Sequence, residues 1–363
     1  MRASIMRNQK LVVDDIPVPQ PGPGEVLVKT LACGICGSDL HTLKHADKLV
    51  DLSRRSGGGF VMGLDLRRDV VMGHEFCAEL VDFGSGTQRR LKTGQRVCSM
   101  PVLIKQSGVE TVGYSNENPG GYGEFMRLTE GLLLEVPNGL STERAALTEP
   151  MSVGYHAVNK ARLDKDDVPL VIGCGPVGLA VIAALKSAEV QPIVAADFSP
   201  RRRELARRMG ADMVIDPKEK SPFATWREMA AYKDPAKAPQ LPPWFQGPAL
   251  RPAAIFECVG VPGVIDSIML SAPANARVVV VGVCMEADQI QPLFGINKEL
   301  NIQFVLGYSA QEFAQTLHNL AEGKINADPL ITGKIGVEGV ARAFEELASP
   351  ETHAKILVEP WHG

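Results

Sequence analysis

The stretch from Val168 to Asp197 leaves the chain the least freedom. An apolar run, Val168-Pro169-Leu170-Val171-Ile172, is broken by Gly173-Cys174-Gly175-Pro176-Val177-Gly178, after which Leu179 to Ser187 has the length and composition of a helix. A second apolar run, Pro192 to Ala196, closes on Asp197. Strand, glycine turn, helix and strand in that order predict a parallel βαβ unit that binds a dinucleotide. Gly173 permits the tight turn, Gly175 lets a pyrophosphate approach the backbone, and Gly178 lets helix and strand pack, while Pro176 and Val177 open the helix whose N-terminus holds phosphate charge. Asp197 accepts hydrogen bonds from ribose hydroxyls and repels a 2′-phosphate, so NAD is expected rather than NADP. Arg202, flanked by Arg201 and Arg203, pulls the other way, because an arginine beside the ribose neutralises such a phosphate.

Further strands are predicted at 213–215, 254–257 and 277–282, alternating with helices as a parallel sheet requires. Before Thr148 the character is different. Short alternating runs at 11–13, 25–29, 76–83, 96–100 and 123–128, separated by proline and glycine turns, predict a half that is mainly β. The segment after His41, with its glycine run at 57–59, reads as loop. Towards the end, two helices at 311–323 and 337–348 precede a strand at 354–358. A chain of 363 residues with 45% hydrophobic content is long enough for two domains.

The net charge of −4 gives no broad attraction for nucleic acid or anionic membrane and favours a small-molecule partner. The N-terminus lacks the apolar core of a signal peptide, and no apolar run is long enough to span a bilayer, so a cytoplasmic protein is expected. Seven cysteines in a chain of this length suit reduced thiols better than a disulfide scaffold.

Chemistry-bearing residues gather in the β-rich half. Cys33-Gly34-Ile35-Cys36-Gly37-Ser38-Asp39-Leu40-His41 is followed downstream by Gly73-His74-Glu75 and then by Glu149-Pro150. One Cys-x-x-Cys without a second argues against a zinc ribbon, and its place after a strand argues against a thioredoxin-like redox pair. A thiolate, an imidazole and carboxylates spread over distant segments read instead as an open metal site. From the residues alone, Glu149 is either a charge partner for a helix N-terminus or a ligand.

These segments, with Pro119-Gly120-Gly121-Tyr122 and the glycine turn, make nearly the whole chain resemble the zinc-dependent medium-chain alcohol dehydrogenases, closest to the sorbitol, butanediol and threonine dehydrogenase branch. The resemblance implies an α/β protein: a GroES-like β-rich catalytic domain (1–151 and 298–363), a Rossmann doubly wound parallel sheet inserted at 152–297, and a site in the cleft between them. It implies zinc ligation by Cys36, His74 and Glu149, with the Glu75 carboxylate behind the metal and able to coordinate it. Asp39 matches the group that orients the ligand histidine, and Ser38 and His41 match the family's proton relay. Cys33 carries over no role and is expected to be structural. The implied reaction is hydride transfer from a secondary alcohol (a diol, polyol or hydroxy-amino acid) to NAD⁺, by a homodimer or homotetramer.

Two departures are visible. Segment 96–119 holds only Cys98 where relatives with a structural zinc carry four cysteines, so a single catalytic zinc is expected. Segments 43–72 and 218–252 look inserted. The first leaves from the metal loop and either shapes the substrate pocket, together with the regions of Tyr122 and Phe294, or is a surface loop; the second, with Trp226, Trp244 and Phe245, either packs on a neighbouring domain or subunit or is likewise a surface loop. The rival readings are a metal-free NAD(P)H-dependent reductase, which the metal residues disfavour, and a non-catalytic nucleotide-binding protein on the same scaffold, which the Ser38 and His41 pair disfavours.

Overall fold

The computed structural model describes the whole chain except residues 59, 60, 62, 107, 138, 241–246 and 363 and the side chain of Pro235. It forms two compact units, Met1–Pro150 with Ser309–Gly363, and Met151–Tyr308. Among the described residues no helix is long and apolar enough to cross a membrane.

In the second unit, six parallel strands run in the order Met213–Ile215, Val194–Ala196, Val168–Ile172, Ala253–Glu257, Arg277–Val280 and Asn301–Phe304. Helices cover both faces of such a sheet, which is why its strands read as unbroken apolar runs. Val168, Leu170, Val194, Ile255 and Val278 lie in its core. Chain order reverses between Val168–Ile172 and Ala253–Glu257, and open sheets of this kind bind ligands where the strand order reverses. The sequence boundary near 297 falls short of the last strand, and the chain returns to the first unit only at Ser309. Asn301–Phe304 alternates polar and apolar residues and so lacks the unbroken apolar run of the other strands.

Trp226 also corrects an expectation. It lies on the helix Pro222–Ala230, is 1% exposed, and donates its indole N–H to Val168 O at 2.9 Å. It therefore fills the core of its own unit. Trp244 and Phe245 lie outside the described residues.

The first unit is built on a mixed sheet ordered Ile331–Ile335, Lys355–Val358, Glu25–Gly34, Glu75–Phe83, Arg96–Cys98 and Leu134–Glu135, with Phe125–Thr129 also pairing with Glu25–Gly34. Lys10–Asp15 does not pair with the strand that follows it. It turns back on Arg2–Arg7 through Asn8 and Gln9, both at positive φ, a short hairpin that the reading of 11–13 missed. The segment after His41 is no loop at first: Gly37–Ser56 is a helix, bent at His45 and ended by Gly57 in the left-handed conformation. Thr42, Ala46, Val50 and Ser53 supply its buried stripe at helical spacing. The lobe 96–119 contains a hairpin, Val102–Lys105 with Gly108–Thr111.

Candidate metal centre and dinucleotide site

Strand Glu25–Gly34 delivers Cys36 to the N-cap of the helix Gly37–Ser56, and Gly73 and His74 lead into strand Glu75–Phe83. These two strands pair antiparallel with Gly34 opposite Glu75, so the two motifs meet. One donor atom each from Cys36, His74 and Glu75 lie within 4.8 Å of one another. His74 and Glu75 are buried and Cys36 is half-buried. Sulfur, imidazole nitrogen and carboxylate oxygen are the donor types zinc takes, so the residues fit such an ion.

Asp39 organises this cluster from behind. Fully buried, it accepts from the Cys36 backbone N–H at 3.0 Å, from Tyr122 Oη at 2.6 Å and from Tyr114 Oη at 2.7 Å, and its Oδ1 stands 3.4 Å from His74 Nδ1. Burial pushes its carboxyl up, but the charge and hydrogen bond of His74 and the Tyr122 and Cys36 donors outweigh that and hold it below the usual range. Burial likewise works against a charged His74, and the Asp39 carboxylate overcomes it, so the imidazole is drawn well above its ordinary value. Tyr122 is therefore not a pocket wall. It is fully buried beneath the site, and Phe294 is half-buried on the helix Pro292–Ile296 of the other unit.

Glu75 is held by Lys355, whose Nζ lies 2.6 Å from each carboxylate oxygen and 3.0 Å from Ile35 O. Both side chains are shut off from water, at 1% and 0% exposure. Desolvation opposes the Lys355 charge, yet Glu75 and the more distant Cys36 and Glu149 raise its pKa overall. Sequence reasoning missed both Lys355 and Tyr114. A signal for the first existed: a lysine opening the otherwise apolar strand Lys355–Val358.

The three mutually close donors do not include Glu149. It sits in the first turn of the helix Thr148–Ala161, half-buried, near enough to act on Lys355 by charge. Ser38 is half-buried beside Cys36, while His41 is exposed on the same helix. Partial desolvation, together with His45 and Lys44, lowers the His41 pKa below 6.5. Cys33 is fully buried, and a Cβ placed on Gly121 would come within 2.6 Å of its sulfur.

In the second unit, Gly175 precedes the helix Pro176–Ser187, with Pro176 in its first turn and Val177 next. A Cβ on Gly178 would collide with Gly173 O, so this helix approaches the strand as only glycine permits. Asp197 is 9% exposed and braces the turn: its oxygens accept from Cys174 N at 2.7 Å and Ser199 N at 2.8 Å. Arg203 is committed to Asp216 and to the carbonyls of Asp197 and Phe198. Arg202 is the arginine that stands over the turn, its guanidinium 3.8 Å from where a Gly175 Cβ would be.

Comparison with known proteins puts these sites in one lineage. Residues 22–138 match the alcohol dehydrogenase GroES-like domain, and residues 176–322 match the zinc-binding dehydrogenase domain. The chain is 31% identical to the (R,R)-butanediol dehydrogenase of Bacillus subtilis (strain 168), over 99% of this chain and 100% of that one. The chain belongs to the zinc-dependent medium-chain alcohol dehydrogenases. The sorbitol dehydrogenase of Bos taurus is 28% identical over 92% of this chain and 89% of its own. The crystal structure of 2R,3R-butanediol dehydrogenase from Bacillus subtilis superposes with a TM-score of 0.80 at 29% identity, covering 99% of each chain. The protein is accordingly an oxidoreductase that uses zinc and a nicotinamide cofactor, with the GroES-like and Rossmann-type folds expected from sequence.

Proposed function

We propose that the protein oxidises a secondary alcohol of the diol, polyol or hydroxy-amino acid class, with NAD⁺ as hydride acceptor. The observation that carries this is the meeting of Cys36, His74 and Glu75 at the foot of the helix that also bears Ser38 and His41. The relatives named for butanediol and sorbitol favour a diol or polyol.

Cys36, His74 and Glu149 are assigned as ligands of one catalytic zinc, with Glu75, held by Lys355, close enough to the Cys36 and His74 donors to coordinate it as well. Thiolate and carboxylate, with an imidazole that gives up its added proton when the metal binds, offset the two charges of the ion. When bound, zinc supplies Lewis acidity, of the strength that brings a coordinated water from a pKa of 15.7 to about 7. Ser38 accepts the proton of the alcohol, and the exposed His41, with its lowered pKa, passes it to solvent. The turn Gly173, Gly175, Pro176, Val177 and Gly178 would hold the pyrophosphate of NAD⁺, with Asp197 at the ribose and Arg202 beside the turn. The buried Asp197 carboxylate disfavours a 2′-phosphate, so NAD⁺ is assigned over NADP⁺.

The test is metal content per chain by mass spectrometry, on protein purified without added metal, alongside NADH formation from butane-2,3-diol and sorbitol. One zinc with NADH formation is expected. No zinc, with dinucleotide binding intact, would replace this reading by a metal-free reductase or a non-catalytic binding protein. Two zincs would show that 96–119 holds a second site.

A homodimer or homotetramer is assigned on one further feature. The outer side of Asn301–Phe304 has no strand partner among the described residues, and Phe304, Leu306 and Ile296 around it are 69%, 75% and 70% exposed. An open apolar edge of this kind pairs readily with its copy. Light scattering that gives a monomer at micromolar concentration would overturn the assignment.

A further inference from the structure

Tyr114 enters the metal-binding region from the lobe 96–119. Its predecessor, Gly113, has φ +88°, and a Cβ there would lie 2.9 Å from Gly73 O. This backbone contact, open only to glycine, sets the next residue beside His74. The two rings stand 5.3 Å apart between centroids at 37°, and Tyr114 is 6% exposed. Its phenol oxygen lies 2.7 Å from Asp39 Oδ1 and 2.9 Å from Ser38 Oγ.

A phenol has one hydrogen and cannot donate it twice. Asp39, collecting donors from Tyr122 and the Cys36 backbone as well, acts as a carboxylate that only accepts. The Tyr114 hydrogen therefore goes to Asp39, and Ser38 donates its own hydrogen to the phenol oxygen. Both lone pairs of the serine then remain available to a substrate hydroxyl. Tyr114 and His74 also compete for the same acceptor, since His74 Nδ1 stands at the longer distance of 3.4 Å from Oδ1.

We propose that Tyr114 is a positioning residue for Ser38: by taking the serine hydrogen it fixes the hydroxyl as an acceptor for the alcohol proton. This rests on the assignment of Ser38 in the reading above. As the alcohol O–H bond breaks, a new O–H bond forms at Ser38; in the same step the original Ser38 O–H gives up its hydrogen bond to Tyr114 and loses its proton to solvent by way of His41, and the new O–H takes its place against the phenol. The phenol gains and loses nothing. It has a second effect on the metal side, where it occupies part of the acceptor that orients His74.

The experiment compares wild type, Tyr114→Phe, Ser38→Ala and the double variant. Phenylalanine keeps the ring and its contact with His74. With butane-2,3-diol and NAD⁺, Tyr114→Phe should lower kcat about tenfold with KM changed less than about twofold, the size of a lost orientation in general-base catalysis. In the Ser38→Ala background the same change should lower the residual rate no further, because residues acting through one another are not additive. Zinc loss to EDTA should be no faster in Tyr114→Phe than in wild type, since Oδ1 of Asp39 is left to His74. An equal loss of kcat in both backgrounds, an undiminished kcat, or faster zinc loss would each overturn the proposal. Should wild type oxidise no diol at all, the proposed reaction fails, and the EDTA comparison still decides whether Tyr114 competes with His74.

Discussion

Lys355 separates an ion pair that matters from those that do not. Arg67 and Asp65 pair at 90% and 33% side-chain exposure, where a salt bridge is worth about 0–1 kcal/mol. Lys355 and Glu75 pair in the absence of water, where removing one partner leaves a buried charge and costs about 3–5 kcal/mol. Lys355→Met should therefore lower the free energy of unfolding by about 3–5 kcal/mol in guanidinium titrations at pH 7, and adding Glu75→Gln should recover part of the loss. Because the folded pKa of Lys355 is raised, its contribution is complete below 10.5 and disappears as pH rises through the folded value. His41 has the opposite shift. Its folded pKa is lowered, so it stays neutral and able to accept a proton at neutral pH, and turnover should fall only as pH drops through a value below 6.5. His41→Ala should slow turnover near neutrality, abolish that acid limb in a kcat-against-pH profile, and leave zinc content unchanged.

Among the elements, those whose evidence is local could be read from the sequence. Val168 to Asp197 is one such case, because strand, turn, helix and acidic strand end follow one another without interruption. Gly178→Val tests that reading: the side chain would collide with Gly173 O, push the helix off the strand and weaken NAD⁺ binding by tenfold or more, about 1.4 kcal/mol, in a calorimetric titration. Other elements were misread because their stabilisation comes from elsewhere. The helix Gly37–Ser56 carries a bend and a glycine run at its end, which looked like loop until its buried face met the core. Tyr114 reaches Asp39 across 75 positions and Lys355 reaches Glu75 across 280, contacts for which no single sequence has a period. The lobe 96–119 was read for its missing cysteines, and its contribution turned out to be a phenol.

At the scale of the whole molecule, the candidate metal donors and the proposed dinucleotide turn belong to different units. Zinc removal by a chelator should abolish alcohol oxidation while NAD⁺ binding, followed by calorimetry, changes less than about threefold, since apart from Glu149 in the helix that joins the units no zinc donor lies near the Gly173–Gly178 turn in the chain.

The first unit takes its strands from both sides of the second, and Lys355–Val358 lies against Gly34 and Cys33. Order of synthesis gives this a temporal meaning. As the chain leaves the ribosome, residues 151–308 emerge as one uninterrupted piece able to fold on its own schedule, whereas Cys36, His74 and Glu75 wait with their buried carboxylate uncompensated until Lys355 arrives. A metal ion offered early would meet these donors without their backing, so the strand that carries Lys355, 280 positions after Glu75, decides when the candidate site becomes able to keep what it binds.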